Sequence, residues 1–358
     1  MYFFLGKTTQ IPQSILDSCY KSRPRIIVTQ PRRISAISVA ERVALERNEC
    51  IGESVGYQIR LEAKLPKSDS FILYCTTGIV LQWLKSNQSL DGITHLILDE
   101  IHERDIQCDF LITLLKDLIM VRPNLKVILM SATLNSESFS KYFNNCPTYH
   151  IPGTLFPIQE YYLEDVLEMT NYDFGNNHAQ HSRRPTPIWQ KYTRRGKEAI
   201  AQDTKYNEFI QPYVRDLRSN GKYSEKTLNS LLDPKAEDIN HELMASLIHY
   251  IHVNEGPGAI LVFLPGWSNI SEMNKLLSRL PNVQIFPAHS MMPTAQQKMI
   301  FEKPPVGVRK IVLATQIAET SITIDDVVYV VNCGKIKYAK FDTKKNLTTL
   351  QPEWVCFI

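Results

Sequence analysis

The sequence predicts an α/β protein built as two parallel-sheet lobes, and three observations predict it. Short, continuous apolar runs recur and stop abruptly at polar residues: Arg25-Ile-Ile-Val-Thr29, Leu96-Ile-Leu-Asp99, Lys126 to Met130, Gly258 to Phe263 and Arg309 to Thr315. Strands of a parallel sheet covered on both faces read this way. Helical stretches separate them, at Ile11–Tyr20, from beyond Arg104 through Met120, at His241–His252 and from Asn269 to Leu277. Finally, 358 residues that are 44% hydrophobic and 22% charged suffice for two ordinary cores.

Composition also narrows the function. A net charge of +3 and a pI near 8.3 are compatible with a polyanionic partner but too small to argue for one. The seven cysteines form no C-x-x-C pair, so neither a zinc site nor a disulfide framework is expected, and reduced intracellular thiols are the default. Met1-Tyr-Phe-Phe-Leu5 is too short for a signal segment, and no apolar run approaches a membrane span.

The chemistry-bearing stretch is Leu96-Ile-Leu-Asp99-Glu100-Ile-His102. Ligands of open α/β sheets sit beyond the carboxyl ends of strands, where Asp99 and Glu100 fall. Two adjacent acids there suit Mg²⁺ held by Asp99 and a water oriented by Glu100; acids decorating a helix N-terminus are the alternative for the pair alone. Upstream stand Gly6, Lys7, Thr8 and Thr9, the end of a phosphate-cradling loop, with Lys7 for the β- and γ-phosphates and the Thr8 hydroxyl for Mg²⁺. Downstream, Ser131-Ala132-Thr133 closes another strand. In this order, Gly-Lys-Thr, Asp-Glu-Ile-His and Ser-Ala-Thr resemble the motifs of a DEAH-box helicase of superfamily two, in the DEIH spelling.

That resemblance implies two RecA-like lobes, residues 1–160 and 241–358, around an insertion at 161–240, with a β-hairpin at 335–351. The first lobe would lack its first strand and the second its C-terminal part. It implies ATP and Mg²⁺ as cofactors, with Lys7, Asp99, Glu100 and His102 at the reaction and Ser131 and Thr133 coupling nucleotide state to strand grip. Arg42 and Phe301 would sandwich the adenine, while Glu319 and Asp325 organise the nucleotide cleft. The nucleic-acid backbone would fall to Arg32, Arg33, Thr76, Thr77, Gly78, Thr315 and Thr320. Without the resemblance, Arg32 and Arg33 read as a solvated turn and Thr77 as a helix cap. Gln316 stands where the family usually has asparagine.

Between the lobes the pattern weakens, with some helix expected to return at Tyr206–Leu217. His181–Lys197 contains six basic residues and no acid, which reads as a partly mobile surface insertion or as a contact for RNA phosphates. The resemblance is nearest to the RHAU-like, G-quadruplex-resolving branch, through Gln30–Val43, Leu73–Ile79 and Phe263–Trp267. It implies an intracellular ATP-dependent RNA helicase module, cytoplasmic or nuclear and monomeric. Such a module would translocate along single-stranded RNA and unwind structured RNA, or DNA and G-quadruplexes, away from any membrane. Tyr2, Phe3 and Phe4 occupy the glycine-rich part of the loop, and the arginine-rich segment expected after residue 358 does not appear. Both lead to an expectation of impaired hydrolysis for this polypeptide, with an RNA-binding or partner-binding product as the alternative.

Overall fold

The computed structural model describes residues 6–19, 22–132, 136–152, 157–174, 194–318, 324–343 and 346–355. The fold is mixed α/β and divides into two compact units, the first centred on Met1–Ile158 and the second on Gln159–Met292 together with Met299–Ile317 and Ile324–Ile358.

In the first unit six strands align in the order β3-β2-β4-β1-β5-β6: β1 Arg25–Gln30, β2 Val55–Ile59, β3 Glu62–Lys64, β4 Phe71–Thr76, β5 His95–Leu98 and β6 Lys126–Leu129. Every pairing is parallel except that of the short edge strand β3. Alternate residues of β1 feed two separate cores. Ile26 and Val28 pack with helices α1 (Lys7–Ser18) and α2 (Arg33–Glu46), whereas Ile27 packs with α3 (Thr77–Ser86) and α4 (Ile106–Val121). Both faces of the sheet are therefore covered, which is why its strands are apolar throughout. The central strand β1 lies between β4 and β5, so the chain leaves it in opposite directions, the position where such sheets open a crevice at their carboxyl edge.

Two boundaries differ from the sequence expectation. Helix α1 starts at Lys7 rather than Ile11, because Gly6 takes a left-handed conformation (φ 60°) as its N-cap and turns the chain directly into the helix. Strand β5 ends at Leu98, releasing Asp99 and Glu100 from the ladder into a tight turn in which Glu100 itself has φ 54°.

The second unit contains a parallel sheet in the order β10-β7-β9-β8: β7 Ala259–Phe263, β8 Val283–Ala288, β9 Arg309–Ala314 and β10 Val327–Asn332. The hairpin pairs β11 (Lys335–Asp342) with β12 (Leu347–Trp354), three residues longer than the Gln351 limit read from the sequence. The weakly patterned middle is largely helical where it is described. Helix α5 (Ser136–Tyr142) closes the first unit's stretch of chain; in the middle, α6 (Leu163–Thr170) precedes α7 (Arg194–Asn220) and α8 (Glu225–Leu231), and Leu167, Phe174, Ile210, Val214, Leu228 and Leu231 form an apolar cluster of their own. Residues 175–193, with most of the basic run, lie outside the described residues, as do Thr133, Glu319 and Thr320.

Candidate functional site

The carboxyl edge of the first sheet gathers residues from four segments. Register places them: Thr29 pairs with Leu98, so the next residues along, Gln30 and Asp99, lie side by side at the strand ends. Asp99 is 7% exposed. Its Oδ2 accepts hydrogen bonds from Thr8 Oγ1 at 2.6 Å and Gln30 Nε2 at 2.8 Å, and its Oδ1 accepts from the Glu100 backbone N–H at 2.9 Å. Burial pushes the Asp99 carboxyl up from its ordinary value, while these donors and the nearby Lys7 ammonium pull it back. A carboxylate so donated to is aimed, since neither oxygen can swing away without losing a contact.

Thr8 is fixed at its other end by proline chemistry. Pro12 lies inside α1 and has no N–H to give the carbonyl four residues before it, which is that of Thr8. The Tyr74 hydroxyl, from a fully buried ring on β4, donates to that carbonyl at 2.9 Å instead. The exchange keeps the first turn of α1 satisfied. That turn has no side-chain cap and no acid, so its N–H groups and Lys7 present positive character at the helix N-terminus. Lys7 Nζ donates to the Ser131 backbone carbonyl at 2.7 Å, joining the Gly-Lys-Thr and Ser-Ala-Thr segments through the main chain of Ser131. Thr9 Oγ1 donates to the Gly6 carbonyl at 3.2 Å.

Glu100 sits beside this network. Burial, then the Asp99 and Glu103 carboxylates, push its carboxyl up to about 7. Its Oε2 lies 3.3 Å from His102 Nδ1, and that nitrogen lies 3.3 Å from the Ala132 backbone N–H. Burial lowers the His102 pKa below its ordinary value, favouring a neutral imidazole whose Nδ1 accepts from the Ala132 N–H. His102 thereby stands between the acid turn and the segment after β6.

The remaining sequence candidates of this unit border the site or lie apart. Arg32, the N-cap of α2, has Nη2 3.7 Å from Glu103, and Arg33 opens the helix exposed. Thr76, not Thr77, is the N-cap of α3 and makes no side-chain cap bond; Thr77 is buried in the first turn, so its reading as a cap is corrected. Gly78 has little room, because a Cβ there would come within 2.9 Å of Gln107 Oε1. Arg42 Nε pairs with Glu46 at 2.7 Å, and Glu46 also accepts from Gln10 and Gln13, so Arg42 is anchored on the helix pair. In the second unit, Thr315 follows β9 and its N–H donates to the Ala288 carbonyl at 3.3 Å, Phe301 ends a short 3₁₀ turn half-buried, and Asp325 is exposed before β10.

Sequence reasoning missed Gln30 and Tyr74. The signal for Tyr74 was Pro12, which leaves one helix carbonyl in need of a donor.

The donor set at Asp99 is one carboxylate and one hydroxyl, hard oxygens that suit Mg²⁺ held by few protein ligands together with substrate phosphates. No group of three or more His, Cys, Asp or Glu side chains able to hold a metal occurs among the described residues. Likewise among the described residues, no helix is long and apolar enough to cross a membrane.

Residues 5–141 match the family described as DEAD/DEAH box helicase, and residues 242–345 match the helicase conserved C-terminal domain. Over 98% of its length the chain is 51% identical to the ATP-dependent DNA/RNA helicase DHX36 of Rattus norvegicus, covering 36% of that protein, and 51% identical to DHX36 of Homo sapiens, covering 35%. It is 47% identical to the DExH-box ATP-dependent RNA helicase DExH1 of Arabidopsis thaliana, again over 98% of this chain and 35% of that one. The chain thus spans about a third of the length of these relatives.

Proposed function

Because the chain belongs to the DEAD/DEAH box helicase family, we propose that it is the motor module of an ATP-dependent helicase acting on RNA or DNA, with the carboxyl edge of the first sheet as its nucleotide site. The observation that carries this reading is the buried Asp99 carboxylate, held by Thr8 Oγ1 with Lys7 and Glu100 at its sides. In it, the α1 N-terminus and Lys7 bind the phosphates, and Thr8 and Asp99 hold Mg²⁺. The ion, when bound with ATP, neutralises phosphate charge during transfer. Glu100 orients the attacking water and takes its proton, a task suited to a carboxyl whose pKa lies near 7. His102 and the Ser131 carbonyl relay the occupancy of the site to the segment after β6. Arg32, Arg33, Thr76, Thr77, Gly78, Thr315 and Thr320 hold the nucleic-acid backbone, and Arg42, Phe301, Glu319 and Asp325 complete the nucleotide contacts.

Lobe boundaries near residues 160 and 240 and a β-hairpin that parts strands belong to the same reading. So do translocation along single strands, unwinding of structured RNA, DNA and G-quadruplexes, a monomeric state and an intracellular location.

Phosphate release from ATP by the purified chain, with and without single-stranded RNA, tests it. The expected result is slow release, in keeping with the impaired hydrolysis expected of this polypeptide, that RNA still stimulates and Glu100→Gln abolishes. RNA binding without Mg²⁺-dependent nucleotide binding would instead favour a binding-only product, and release indifferent to Glu100→Gln would contradict the assignment.

A further inference from the structure

Gln30 has no role in the proposed mechanism, yet it is fully buried and touches the proposed metal ligand. It ends β1, and the β1–β5 register carries it alongside Asp99. Its amide is used at one end only. Nε2 donates to Asp99 Oδ2 at 2.8 Å, whereas Oε1 is buried with no hydrogen-bond partner. The orientation is not interchangeable, since a carboxylate oxygen accepts and only the amide nitrogen can donate to it. A buried acceptor left without a donor is costly, so a glutamine kept in this place is suited to a donor that arrives with the ligand. Next to a carboxylate that would ligate Mg²⁺, the strongest such donor is water on the ion, because Mg²⁺ keeps several of its waters when held by one or two protein groups.

We propose that Gln30 is a positioning residue for the metal. Its amide nitrogen aims Asp99, and its amide oxygen receives a water of the ion's hydration shell. This rests on the Mg²⁺–nucleotide reading of the site. Gln30 thus touches both functions, by a hydrogen bond to Asp99 and by its position just before Pro31-Arg32-Arg33, which carries the arginines proposed to grip nucleic acid.

The test is equilibrium binding of a fluorescent ADP analogue to the whole chain, titrated with MgCl₂ and repeated without divalent ions. Gln30→Met keeps the volume and removes both polar ends. Gln30→Asn keeps the amide but is one methylene too short to reach Asp99. In both variants the Mg²⁺ half-saturation is expected to rise by roughly tenfold to a hundredfold, with metal-free ADP affinity unchanged. If Gln30→Met does not fold, Gln30→Asn alone decides. An unchanged Mg²⁺ half-saturation overturns the inference, and so does an equal loss of affinity with and without the ion, which marks a packing role. If the unmodified chain binds ADP with no response to Mg²⁺, the nucleotide reading itself fails and the inference fails with it.

Discussion

The two units build the same kind of sheet and place their buried charge at opposite ends of it. In the first, Asp99 lies beyond the carboxyl end of β5, held by three donors from Thr8, Gln30 and the Glu100 backbone. In the second, the buried charge of the sheet itself is Lys310, the second residue of β9 and so near that strand's amino end, paired with Asp326 at 3.1 Å and lying 5.6 Å from the Phe286 ring centroid. The Lys310 side chain is 1% exposed and that of Asp326 27%. At the carboxyl edge of the second sheet stand Thr315, Trp267 and His289, the last two rings meeting edge-on at 5.9 Å. A buried charge whose every contact is internal holds a sheet together. A buried charge ringed by groups that also suit phosphate and metal is arranged for something that binds. The distinction lies in which end of the strands carries the charge and in what surrounds it.

Substitutions can break or sharpen this contrast. The largest effect is expected for Glu100→Gln in ATP turnover, a fall of about 10² to 10⁴ in RNA-stimulated phosphate release, the usual worth of a positioned base. In the second unit the loss should appear as stability alone. Asp326→Ala strands the Lys310 ammonium in the core and should lower the unfolding free energy by about 3 kcal/mol in chemical denaturation, with nucleotide affinity unchanged. The companion Lys310→Met should recover most of that loss.

A pH series sharpens the first-unit half. Glu100 has a pKa near 7 folded against 4.5 for its ordinary value, so between these pH values the folded chain holds a proton that the unfolded chain has released. Stability contributed by the neutral carboxyl is therefore full below pH 4.5 and lost as pH rises through 7. Without ligands, Glu100→Gln should be more stable than the unmodified chain by about 3 kcal/mol at pH 8, with the difference gone by pH 4. The smallest effect is Tyr74→Phe, which leaves the Thr8 carbonyl without its donor. It should cost about 1–2 kcal/mol in thermal unfolding and weaken nucleotide binding only slightly.

Much of this was legible in the sequence, for a physical reason: strands buried on both faces must be apolar along their length, and the polar residues that interrupt them mark the sheet edge. The acids at Asp99 and Glu100 stood out on those grounds, and Gly6-Lys7-Thr8 as the end of a phosphate-cradling loop. Gln30 did not, because a glutamine beside Pro31 and two arginines looks like part of a polar loop, and only strand register reveals that it faces Asp99. Tyr74 looked like one more core aromatic of β4. Of the helices between 163 and 231 only the Tyr206–Leu217 stretch of α7 was legible, because α7 is mostly polar along its 27 residues and contributes only a few apolar side chains, Ile210 and Val214 among them, to its cluster. Arg42 was legible as a cation on α2 but not as the partner of Glu46 one turn later.

The central claim is that Asp99 is built to hold Mg²⁺ against a nucleotide, and isothermal titration of ATP into the chain with Glu100→Gln in place, with and without MgCl₂, tests it most directly when Asp99→Asn is compared. The account predicts that Mg²⁺ tightens ATP binding by about tenfold or more and that Asp99→Asn removes this gain while leaving metal-free affinity intact. Equal Mg²⁺ dependence with and without the Asp99 carboxylate would contradict it.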